Sequence, residues 1–100
     1  MFAIVTLEYI APLEDVLRTT DDHRAHLRAL HAQGKLVAAG PFVPRTGGLL
    51  ILHGRDIEEI HELIRDDPFN TRKIARFEVR EWNPVIGVEA LAKALERPVA

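Results

Sequence analysis

A single α+β domain, with a four-stranded antiparallel sheet carrying two helices on one face, is the fold predicted by this chain of 100 residues. Three observations predict it. Four short segments rich in β-branched, aromatic or alternating apolar residues read as strands. Two segments between them repeat their apolar residues at helical spacing. Their order along the chain is β-α-β-β-α-β, the ferredoxin-like split βαβ arrangement.

The first strand runs from Phe2 to Ile10 and stops at Ala11-Pro12. Apolar residues fall on both of its faces, with Ala3, Val5 and Leu7 on one and Phe2 and Ile4 on the other, as expected of a central strand covered on both sides. Thr19-Thr20-Asp21-Asp22 offers N-cap chemistry for a helix that ends at Gly34, the residue type favoured at C′. Segment 12–18 reads equally as a separate turn or as a backward extension of that helix. Lys35 to Phe42 and Leu49 to His53 form a hairpin across the turn Pro44-Arg45-Thr46-Gly47-Gly48. In the second helix, Asp56 to Arg65, Ile57, Ile60 and Ile64 make an apolar stripe, and Asp67-Pro68 ends it. Lys73 to Trp82 alternates Ala75, Phe77 and Val79 with Arg76, Glu78 and Arg80, an edge strand with one polar face. Past Asn83-Pro84, the spacing of Val88, Leu91 and Leu95 predicts a tail helix over about 87–96. The domain thus divides into a βαββαβ body, 1–82, and a tail, 83–100.

Composition narrows the function. Apolar residues make up 47% and charged residues 28%, the balance of a globular protein. Thirteen basic against fifteen acidic residues leave a net charge of −2, which argues against a dedicated nucleic-acid binder. The absence of cysteine excludes disulfides, thiol nucleophiles and Cys-ligated metals, and the absence of serine excludes a serine nucleophile. The longest apolar run, Leu36 to Val43, is far too short to span a bilayer. Met1 to Pro12 has no basic leader, so a soluble cytoplasmic protein is expected. No metal-ligand spacing and no dinucleotide fingerprint is present, and neither a metal nor a cofactor is expected.

Two features carry chemistry. His23, His26, Leu27, Leu30, His31 and Gly34 share one helical stripe. Leu27 and Leu30 must face the sheet, which brings His26 to the border of the core, where an imidazole can act as a general acid or base. The commoner fate of such a residue is a structural hydrogen bond. His23 and His31, further round or near the helix ends, read as surface positions. Asp66-Asp67 places two carboxylates at the unfavourable end of a helix dipole, and a nearby imidazolium would compensate them; an Asx-type turn before Pro68 is the competing explanation. The apolar lower face of the sheet also predicts a homodimer, a two-fold partner being the commonest cover.

His26-Leu27, Gly34-Lys35-Leu36, Gly40-Pro41, Asp67-Pro68-Phe69 and a final strand ending in Trp82, taken in that order, resemble the YCII-related (YciI-like) domain family over about residues 1–82. The resemblance implies a dimeric ferredoxin-like α+β barrel with a His–Asp active-site pair. Carried across, the catalytic residues are His26 and Asp67. Members commonly have an arginine three residues before the histidine, where this chain has His23; His23, Phe42 and Phe69 are the expected substrate-binding residues, with Tyr9 and Trp82 as further apolar walls. One member is a dehydrochlorinase acting on a chlorinated hydroxyhydroquinone, and most have no assigned reaction. The implied chemistry is cofactor-independent elimination, dehydrochlorination or isomerisation of a small molecule. The alternative is a non-catalytic ligand-binding or dimerising module that uses the same pocket.

Overall fold

A computed structural model describes residues 1–96. Its elements are β1 (Phe2–Tyr9), α1 (Leu13–Ala32), β2 (Leu36–Pro41), β3 (Gly47–His53), α2 (Ile57–Arg65), α3 (Pro68–Thr71), β4 (Ala75–Trp82) and α4 (Val88–Ala94). The strands form one antiparallel sheet in the order β2-β3-β1-β4, with β1 central and β4 at an edge. Residues 97–100, the end of the expected tail, lie outside the described part of the chain.

The alternation of β1 decides which face is covered. Ala3, Val5 and Leu7 are buried and form one core with Leu50 and Leu52 of β3, Val16, Leu27 and Leu30 of α1, and Ile60 and Ile64 of α2. Phe2, Ile4 and Thr6 point to the opposite face, beside Leu49, Ile51 and His53 of β3 and Arg80, Glu78 and Trp82 of β4, and are only half-buried.

Helix α1 differs from expectation at its start. It begins at Leu13, and segment 12–18 is its first two turns. Thr19 and Thr20 do not cap it; their hydroxyls donate back to the carbonyls of Asp15 and Val16, 2.9 and 2.7 Å away. The first turn instead carries Glu14 and Asp15, favourable charges at the positive end of the helix dipole. The C-terminus closes as expected. Gly34 takes φ +73°, the Lys35 N–H donates to Leu30 O, and the Gly34 N–H donates to His31 O, the paired bonds of a Schellman cap.

The hairpin turn is shifted as well. β3 already includes Gly47 and Gly48, and a Cβ on Gly48 would come within 2.8 Å of Gly40 O, so the close approach of the β2 backbone requires glycine there. The tail forms α4, whose Val88, Leu91 and Leu95 are half-buried; the Leu95 carbonyl lies so near Gly34 that a Cβ there would approach it to 3.0 Å.

Candidate functional site

The site forms where α3 meets the middle of α1. Asp66 ends α2, and Asp67 then turns into a new helical segment as the N-cap of α3, its Oδ1 accepting from the Phe69 N–H at 2.9 Å. Pro68 at the first helical position suits that start. Asp67 is therefore not an acid stranded at the negative end of α2. It caps the positive end of the next turn while remaining fully buried.

A buried carboxylate needs partners for its remaining lone pairs, and His23 supplies one. His23 Nδ1 lies 2.8 Å from Oδ1 and 2.9 Å from Oδ2 of Asp67. The His23 ring also stacks on Phe69, with centroids 3.8 Å apart and planes inclined by 4°. Tyr9 meets Phe69 edge to face at 6.0 Å. An ionised carboxylate only accepts, so Nδ1 carries the proton in this pair and Nε2 presents its lone pair when the ring is neutral. Among the described residues, nothing hydrogen-bonds to Nε2. His23 borders a cavity of about 320 Å³ between α1 and the sheet, whose wall includes Leu7, Tyr9, Leu27, Arg45 and Phe69.

The geometry corrects the pairing expected from the sequence. His26 is not the partner of Asp67; its Nε2–H donates to the Leu63 carbonyl of α2 at 2.8 Å, the structural role that competed with catalysis. The reason is the early start of α1. A helix beginning near Asp21 would leave His23 in a frayed first turn, whereas one beginning at Leu13 sets His23 in the middle, on the inner face with Val16, Thr20 and Leu27. His23 is accordingly a buried residue and not a surface one.

Of the expected substrate-binding residues, His23 and Phe69 are in the cavity wall. Phe42 is not. It lines a different depression with Thr6, Glu8, Thr46 and Arg76, because the β2–β3 turn carries it towards the open side of the sheet. Trp82 packs edge-on against Phe2 at 6.5 Å, also away from the cavity. Arg45 is the residue the sequence reading overlooked. From the hairpin turn its Nε donates to Tyr9 Oη and its Nη2 to Thr20 Oγ1, both at 3.1 Å. A lone arginine in a Pro-Arg-Thr-Gly-Gly turn carries no local signal of this.

A second polar cluster lies at the far end of the core. Glu59 accepts from Lys35 at 2.8 Å and pairs with Arg55 at 3.0 Å. The Lys35 hydrogen bond holds its carboxyl below the ordinary value, with Arg55 adding to the effect against the opposing pull of burial. Burial, followed by the charges of the Met1 amino group and Lys35, pushes the His53 imidazole down. Among the described residues, no group of three or more His, Cys, Asp or Glu side chains gathers as metal ligands would. No helix there is long and apolar enough to cross a membrane.

A buried imidazole–carboxylate pair beside a small cavity, carried by a four-stranded antiparallel sheet with helices on one face, places the chain among compact α+β domains. Residues 1–83 match the YCII-related domain, and the chain belongs to that family. Among solved structures it is similar to the 5-chloro-2-hydroxyhydroquinone dehydrochlorinase of Burkholderia phenoliruptrix AC1100 in complex with 2,5-dihydroxybenzoquinone, at 22% identity and a TM-score of 0.64 over 83% of this chain and 94% of that one. No curated protein matches the sequence significantly.

Proposed function

We propose that this protein is a cofactor-independent acid/base catalyst of the lyase or isomerase type, with His23 as the proton carrier and Asp67 as its positioning residue. The observation that carries the reading is the buried His23–Asp67 pair, which engages Nδ1 and leaves Nε2 without a hydrogen bond among the described residues, on a ring that lines the cavity. Asp67 fixes the tautomer and stabilises the imidazolium once formed. Phe69, stacked on the ring, holds its plane. In an elimination, Nε2 takes a proton from a substrate carbon or hydroxyl. The electron pair left behind forms the new π bond and expels the leaving group as an anion, and the imidazolium returns its proton to solvent. The net change is loss of HX, with no change of oxidation state at the protein.

The dehydrochlorinase similarity makes a chlorinated hydroxyhydroquinone the first compound to assay. Chloride release that depends on His23 and persists in His26→Ala is the expected result. A full rate in His23→Ala would refute the catalytic role and leave a ligand-binding module.

We further propose that the domain is one half of a dimeric ferredoxin-like α+β barrel. The half-buried apolar face formed by Phe2, Ile4, Leu49 and Ile51 supports a second copy as its cover.

A further inference from the structure

Three arginines, Arg24, Arg28 and Arg45, line the cavity that holds His23, and no carboxylate lines it. Among the described residues, none of the three has an acidic partner within ion-pair distance, although five other basic side chains, those of Arg18, Lys35, Arg55, Arg72 and Arg76, do. Arg24 and Arg28 stand one helical turn apart, an arrangement of like charges that destabilises a helix unless an anion relieves it. Arg45 differs from them in being half-buried and held in place. Its bonds to Tyr9 Oη and Thr20 Oγ1 consume one N–H each from Nε and Nη2, and leave Nη1 uncommitted. Thr20 is itself anchored, donating to Val16 O at 2.7 Å. Thr20 and His23 are i, i+3 neighbours on the same buried face, so the guanidinium sits about one helical turn from the imidazole. The same cavity is lined by Leu7, Leu27, Leu50 and Phe69, apolar and aromatic walls. A guanidinium is the side chain suited to a planar oxyanion, and a fixed one gives up little freedom on binding.

We propose that the cavity selects a planar, single-ring oxyanion, and that Arg45 is the specificity-determining residue that anchors its negative charge. The proposal rests on the cavity being the substrate site and deepens it by naming the substrate class. The ring lies along the apolar wall, one edge on Arg45 and the reacting edge towards His23, with Arg24 and Arg28 raising the potential at the mouth.

The test compares benzoate with benzamide, nearly isosteric rings that differ in charge, by calorimetry on the intact protein. Benzoate should bind at least about 10-fold more tightly than benzamide. Arg45→Gln should abolish that preference, and Arg45→Lys should restore part of it. Equal affinities for the two compounds, no binding of either, or an unchanged preference in Arg45→Gln would each overturn the proposal. Should Arg45→Gln fail to fold, the Arg45 Nε–H cross-peak of the unaltered protein decides: benzoate should shift it and benzamide should not, and a peak indifferent to benzoate overturns the proposal. These readouts involve no turnover, so a refuted acid/base role for His23 would not be mistaken for a refuted anion site.

Discussion

His23 Nδ1 lies within 2.9 Å of both carboxylate oxygens of Asp67, a residue 44 positions further along the chain. Each group offsets part of the cost of burying the other. Asp67 caps α3 through the Phe69 N–H, and the single Nδ1–H of His23 lies between its two carboxylate oxygens. The pair joins the middle of α1 to the start of α3, and fixes the orientation of the His23 ring.

If the two residues act as one unit, their losses will not multiply. His23→Ala should lower turnover by about 10²–10⁴-fold. Asp67→Asn should cost a comparable amount, and the double variant should be little worse than either. Because Asp67 acts through His23, Asp67→Asn should also move the acid limb of the kcat profile, which a purely structural loss would not do. Steady-state kinetics across pH, with circular dichroism as a folding control, check both points.

His26→Ala should have the opposite profile. It removes the bond to the Leu63 carbonyl that ties α1 to α2, so stability should fall by about 0.5–1.5 kcal/mol. The corresponding drop in Tm for a domain of this size is roughly 4–8 °C per kcal/mol. Turnover at a temperature well below Tm should be retained.

The Glu59 cluster predicts an acid-sensitive contribution to stability. A carboxyl whose folded pKa lies below its ordinary 4.5 stabilises the fold fully above that value, and loses the contribution as pH falls through the lowered folded value. Denaturant titrations should therefore find Glu59→Gln less stable than the parent above pH 4.5, with the difference shrinking in more acidic solution. A gap of constant size down to strong acid would contradict the assignment.

Gly34→Ala should destabilise by roughly 1–2 kcal/mol, the cost of a left-handed conformation for a residue with a Cβ. The Leu95 carbonyl, 3.0 Å from the Cβ position, adds a clash that should loosen α4 as well. Chemical denaturation gives the first effect, and hydrogen exchange in residues 88–94 gives the second.

Much of this was legible from local chemistry. The alternation of β1 marked a central strand, Ala75-Phe77-Val79 marked a one-faced edge strand, and Gly34 ended α1 where a residue with positive φ was needed. The start of α1 was hidden because Thr19-Thr20-Asp21-Asp22 has the composition of an N-cap, while the threonines bond backwards within a continuing helix. Exposed Leu13 and Leu17 further obscured the stripe of the first turns. That boundary, together with the family resemblance carried onto His26, pointed to His26, whereas Asp67 is contacted by His23, one turn earlier. The Asx-type turn expected before Pro68 is present, Asp67 Oδ1 accepting from the Phe69 N–H, whereas the short helix it caps carries no apolar repeat to announce it. Arg45 was beyond reach, since its partners Tyr9 and Thr20 lie 36 and 25 residues away.

Central to the proposed function is that Asp67 holds His23, and not His26, in the tautomer that leaves Nε2 as the available nitrogen of a ring lining the cavity. Nitrogen chemical shifts of the imidazoles, recorded above the titration range of the rings, test it without a substrate. His23 should be the Nδ1–H tautomer, with a slowly exchanging Nδ1 proton that Asp67→Asn perturbs. A His23 ring protonated at Nε2, or one whose shifts are unchanged in Asp67→Asn, would contradict it.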